Sequence, residues 1–154
     1  MKNHGEPNTW DVTLVTDMSN LFSDMENFNA PIDQWNTSKV TDMCCMFAGA
    51  LSFNQPITMD TSKVTTMRSM FYGASSFNQP ITMDTSQVMD MNRMFDGASS
   101  FNQPITMDMS KVKRNRSWMF FGATAMTHPV PEYCHNCGEL SHMSRECPDD
   151  EDDY

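Results

Sequence analysis

No stretch of this 154-residue chain approaches 18 consecutive apolar residues, which excludes a transmembrane helix. The opening MKNHGEPNTW is polar and has no apolar core of the kind a secretory signal needs, so the sequence predicts an intracellular protein. Catalytic signatures are missing as well. There is no nucleophile with a matched base, no paired catalytic carboxylates and no phosphate-cradling glycine loop, and the expectation is that the chain is not an enzyme. Positive charge is scarce, with 10 Lys and Arg against 20 Asp and Glu. Its one cluster is Lys111, Lys113, Arg114 and Arg116, read first as a solvated face and second as a phosphate contact.

Cysteine is also sparse, but three of the five fall together. Cys134 to Pro148 reads CHNCGELSHMSRECP, which sets Cys134, Cys137, His142 and Cys147 at C-x2-C-x4-H-x4-C spacing. Two thiolates two residues apart can hold one ion from a single tight turn, and a further His and Cys complete a closed tetrahedron, the geometry of structural Zn2+. The remaining pair, Cys44 and Cys45, sits where a helix is expected, and adjacent helical positions cannot easily be joined; reduced thiols suit an intracellular compartment.

The segment resembles the zinc knuckle of retroviral nucleocapsid and cellular RNA-binding proteins. That resemblance implies binding of single-stranded nucleic acid, with His135 and Met143 at the base-stacking positions and Arg145 at the usual basic position. His135 stands where the family has an aromatic residue, and Ser141 where it commonly has glycine. Charge argues the other way. From Thr127 to Tyr154 one basic residue faces eight acidic ones, a local balance of −7 that repels a polyanion. The terminal DDEDDY reads as a solvated, disordered tail.

What fills the rest is repetition. FNQPITMDTSKVTTMRSMFYGASS from Phe53 recurs from Phe77 and Phe101, with a looser copy from Phe28 and half a copy over Trp10 to Phe22. Val40, Val64, Val88 and Val112 are spaced by 24 residues, and Val15 precedes Val40 by 25. Such a period predicts stacked units. Within one unit, Ile57 and Met59 alternate about Thr58 after Pro56 and predict a short strand. Asp60, Thr61 and Ser62 offer N-cap oxygens; Val64, Met67 and Met70 or Phe71 then share a helical face, and Gly73 can stop the helix. Stacking at the strand spacing of about 4.8 Å would merge the apolar faces into one core, with most methionines as core filler and Phe28, Phe53, Phe77 and Phe101 as an aromatic spine.

The motif V-T-D-M-x-x-M-F-x-G-A followed by F-N-Q-x-I, as in Val40 to Ala50 with Phe53 to Ile57, resembles the BspA-like relatives of leucine-rich repeats found in mycoplasma lipoproteins and other surface proteins. The resemblance implies an α/β architecture: a leucine-rich-repeat-like solenoid of short parallel strands and short helices, used for adhesion or protein binding. The sequence departs from that pattern near Met59 and Met83, where a residue is missing, and in the last copy, where Asn115 replaces Met and one extra residue precedes Met119. That last copy is expected to act as a cap or to fray.

The expected organisation is a repeat solenoid over 1–126, a proline-containing linker over 127–133, a zinc knuckle over 134–148 and an acidic tail over 149–154. Two functions fit. One is a zinc-dependent, single-stranded RNA- or DNA-binding adaptor whose solenoid docks a protein. The other is a protein-interaction scaffold in which zinc only folds the C-terminal module and the concave solenoid face does the binding. The family pattern favours the first and local charge the second; the first is the reading taken here for the knuckle.

Overall fold

The computed structural model describes residues 5–112 and 118–128. Its organising feature is a ladder of backbone hydrogen bonds between units one period apart. In the unit after Val64, the N–H groups of Met67, Ser69, Phe71 and Gly73 donate to the carbonyls of Asp90, Asn92, Met94 and Asp96 at 2.7–2.9 Å. Between them, the N–H groups of Met70, Tyr72 and Ala74 donate to the carbonyls three residues back. Alternate donors thus serve the next unit and the local turn, and no buried N–H in this stretch is left unpaired. The same pattern links Met18, Asn20, Phe22 and Asp24 to Asp42, Cys44, Met46 and Ala48, and it continues through Phe95 and Gly97 to Met119 and Phe121.

This arrangement replaces the expected helix. Among the described residues there is no α-helix; the one helical element is the 3-10 turn Pro7–Thr9. Each would-be helix is instead a run of tight turns with a left-handed residue every fourth position: Ser69 (φ 52°) and Gly73 (φ 65°) in one unit, Arg93 (φ 55°) and Gly97 (φ 72°) in the next. The apolar side chains still fall at helical spacing, which is why Met43, Met46, Phe47 and Ala50 are all buried. Dimensions decide between the two conformations. A helix with side chains is about 10 Å across, whereas rings in successive units stack 5.4–6.1 Å apart. A helix over Met67 to Gly73 would carry these same residues out of hydrogen-bonding reach of the next unit.

The strand expectation is corrected in the same way. The parallel pairings are isolated bridges, Asp17 with Asp42, Asp42 with Thr66 and Thr66 with Asp90, and they lie two residues after each valine rather than after each proline. The post-proline segments deliver Ile57 and Ile81 to the core, and side chains rather than a bridge tie them together: the Thr82 hydroxyl donates to the Ile57 carbonyl at 3.2 Å.

The core is a double aromatic column. Phe28, Phe53, Phe77 and Phe101 stack with centroid spacings of 5.8–6.1 Å, the spine expected from the repeat. Beside it runs a second column of Phe22, Phe47, Phe71, Phe95 and Phe120, spaced 5.4–5.6 Å. Rungs of 3.8–4.2 Å join the columns within each unit. Met43, Met67 and Met91 pack fully buried around them, in keeping with the unbranched thioether's use as filler. The last copy does not fray over 118–128: Met119 and Phe120 are buried, and the Ala125 N–H donates to the Ser99 carbonyl at 3.1 Å.

Candidate interaction face

The asparagine after the repeated phenylalanine forms a polar ladder from unit to unit. The side-chain oxygen of Asn54 accepts from the Asn78 N–H at 2.9 Å and from the Gln79 amide at 3.1 Å. Asn29 serves Asn54 and Gln55 in the same manner, Asn78 serves Asn102 and Gln103, and Asn102 receives Thr127. A parallel ladder runs from the Thr37 and Thr61 hydroxyls to the Asp60 and Asp84 carbonyls, both 2.9 Å. These residues repeat because the stack needs them.

Positions that differ from unit to unit are the informative ones for binding. Ser23, Ala48, Tyr72, Asp96 and Phe121 occupy one stacked position, and Asn20, Cys45, Ser69, Arg93 and Trp118 a neighbouring one. On this face Tyr72 is 44% and Phe121 47% exposed. Trp118 meets Phe121 edge to face at 4.8 Å and 80°. Between the two aromatic units lies Asp96, whose carboxyl is pushed up by burial, with Arg93 opposing that shift from 3.9 Å. Leu51, 41% exposed, takes a position that is Ser75, Ser99 and Thr124 in later units. Solvent-exposed aromatics beside an arginine are the composition of protein-binding hot spots. The sequence reading missed this face; its signal was the departure of Tyr72 and Phe121 from an otherwise strict repeat.

Cys44 and Cys45 border the same face, half-buried, with sulfurs 3.5 Å apart. The left-handed backbone of Cys45 (φ 55°) brings the two thiols together, which the expected helix would not have done. Burial, then the hydrogen bond with the Cys45 thiol, pushes the Cys44 thiol up to about 11, so it stays protonated at neutral pH.

The residues read as metal ligands, Cys134, Cys137, His142 and Cys147, lie outside the described residues, as do the expected nucleic-acid contacts His135, Met143 and Arg145. So do most of the linker, the whole acidic tail, and Lys113, Arg114 and Arg116. Among the described residues no group of three or more His, Cys, Asp or Glu side chains could hold a metal ion, so any zinc centre rests on the C-terminal set. As donors those four side chains suit Zn2+: three thiolates and an imidazole saturate a tetrahedral ion. Among the described residues no helix is long and apolar enough to cross a membrane.

No curated protein and no solved structure matches the chain. One family model matches twice, over residues 2–83 and again over 58–152, the two matches overlapping as expected for a periodic sequence. The chain belongs to the family described as Mycoplasma protein of unknown function, DUF285.

Proposed function

We propose that the stacked units form a solenoid-type protein-binding module whose contact face is built around Tyr72, Arg93, Trp118 and Phe121. The observation that carries this reading is the exposure of two aromatic side chains, Tyr72 and Phe121, at a position that elsewhere in the array holds the buried Ala48 and Asp96. A rigid stack holds such anchors without a large ordering cost on binding, which favours affinity. The test is capture of partners by the full chain against a Tyr72→Ser/Phe121→Ser variant of equal melting temperature. Specific partners should be retained by the wild type and lost by the variant, and retention by both would overturn the assignment of the face.

A second reading attaches to the C-terminal segment, favoured by its Cys134, Cys137, His142, Cys147 spacing. In this reading the segment folds around one Zn2+ and places His135, Met143 and Arg145 against a single-stranded nucleic acid, while the array docks a protein. Zinc supplies shape rather than chemistry, because four protein donors leave it no open position. Equimolar zinc that disappears in Cys137→Ser supports the ligand set. Binding of a single-stranded oligonucleotide at low salt, weakening as salt rises, supports the adaptor; no binding at low salt leaves the segment a purely structural zinc module.

A further inference from the structure

We propose that Cys44 and Cys45 form a chelating site for one trivalent thiophilic centre, the class represented by an arsenical carrying a single organic group. The stack itself does not ask for sulfur here. The same two positions hold Ser19 and Asn20 in the unit before, Arg68 and Ser69 in the next, and Asn92 and Arg93 after that. What the array does impose is the backbone. The Cys45 N–H donates to the Arg68 carbonyl and the Cys44 carbonyl accepts from the Asn20 N–H, both at 2.9 Å, while the Asp42 carboxylate holds the Cys44 N–H at 2.8 Å. The left-handed conformation of Cys45 (φ 55°) is shared by Asn20 (φ 57°), Ser69 (φ 52°) and Arg93 (φ 55°), so it belongs to the repeat. With both main-chain positions fixed in this way, the two half-buried sulfurs are held 3.5 Å apart.

That separation selects the kind of centre. Bonds of roughly 2.3 Å, the length of a thiolate–metal bond, would span 3.5 Å with an angle of about 100° at the centre, a pyramidal geometry. A linear two-coordinate ion with the same bond length would need the sulfurs about 4.6 Å apart. Among the described residues no third His, Cys, Asp or Glu joins the pair to complete a metal cage. Two protein sulfurs suit a centre that brings its own third substituent.

The chemistry balances without a redox partner. An organoarsenic(III) oxide condenses with both thiols: two arsenic–sulfur bonds form, the arsenic–oxygen bond breaks, and the two thiol protons leave on that oxygen as water. Arsenic stays trivalent throughout. Burial keeps the Cys44 thiol protonated at neutral pH, the form that this condensation consumes.

Phenylarsine oxide is the probe, and the full chain carrying Cys134→Ser, Cys137→Ser and Cys147→Ser isolates the pair. In native buffer without air this parent chain should take up one arsenical and lose both titratable thiols. Adding Cys44→Ser or Cys45→Ser should leave the melting temperature close to the parent's, since the array already holds Ser19 and Ser69 at those positions. Each should weaken retention by about tenfold or more, because a chelate makes attachment of the second sulfur intramolecular. Unfolding in urea should weaken retention too, since the fold preorganises the two sulfurs. No uptake by the parent chain, retention unchanged by either added substitution, or retention unchanged in urea would each overturn the proposal.

Discussion

At the scale of single residues, the hydrophobic positions were legible and the polar ones were not. Val, Met and Phe at fixed spacing announce a core whatever backbone carries them, and Val64, Met67, Met70, Phe71 and Phe77 are all buried. Asn54 announces nothing, since a lone asparagine before Gln and Pro reads as loop chemistry. Its role exists only when the next copy lies beside it and the Asn78 N–H reaches its side-chain oxygen at 2.9 Å. Asn54→Ala would strip that N–H and the Gln79 amide of their acceptor. Unfolding measured in denaturant should show a loss of about 1–3 kcal/mol, the cost of partly buried donors left unmet. A change within a few tenths of a kcal/mol would show that water replaces the ladder at no cost.

At the scale of the element, the sequence contained a contradiction that only the structure settles. A helix from Val64 to Gly73 and an inter-unit ladder at strand-like spacing cannot both be made by the same residues, because a helix is about twice as wide as that spacing and bonds its N–H groups within itself. Tight turns satisfy both demands, and the residues expected to cap a helix serve them. Asp60 accepts from the Ser62 hydroxyl at 2.7 Å and from its N–H at 3.0 Å, closing a turn over its own backbone. The hydroxyls of Thr13, Ser19 and Ser62, and secondarily the N–H groups of the same residues, hold Asp11, Asp17 and Asp60 below their ordinary value of 3.8. For Asp84 and Asp108 the N–H groups of Ser86 and Ser110 contribute most and the hydroxyls second. A lowered folded value stabilises the fold above the unfolded pKa, and that contribution is lost as pH falls through the folded one. Asp96 has the opposite sign, because burial raises it, so its ionised form opposes folding near neutrality and protonation relieves the cost. Melting temperature should therefore fall as pH drops below about 3.8. Asp96→Asn should match or exceed the wild type near pH 7, with the difference shrinking as acid protonates Asp96. A variant markedly less stable than wild type at pH 7 would mean that the contact with Arg93 outweighs burial.

At the scale of the whole molecule, repetition was the most readable property, and the proposed contact face the least. A period of 24 residues fixes what lies above what, so two aromatic columns, an asparagine ladder and a backbone ladder all follow from one spacing. The proposed binding chemistry sits where the period is broken, at Tyr72, Trp118 and Phe121, and a single unit read alone does not mark these as different from core. The C-terminal Cys and His set is a reading from spacing alone and lies outside the described residues. Each unit contacts its neighbours through the same bonds, so stability should be a sum of near-identical interfaces with coil-to-coil contacts in control.

Those interfaces are open to direct observation by NMR scalar coupling across hydrogen bonds, from amide nitrogen to acceptor carbonyl carbon. The stacked structure predicts correlations from Phe47 to Met70, Phe71 to Met94 and Gly73 to Asp96, each spanning 23 residues. Correlations from Phe71 to Met67 and from Tyr72 to Arg68, four residues back as in an α-helix, would contradict it.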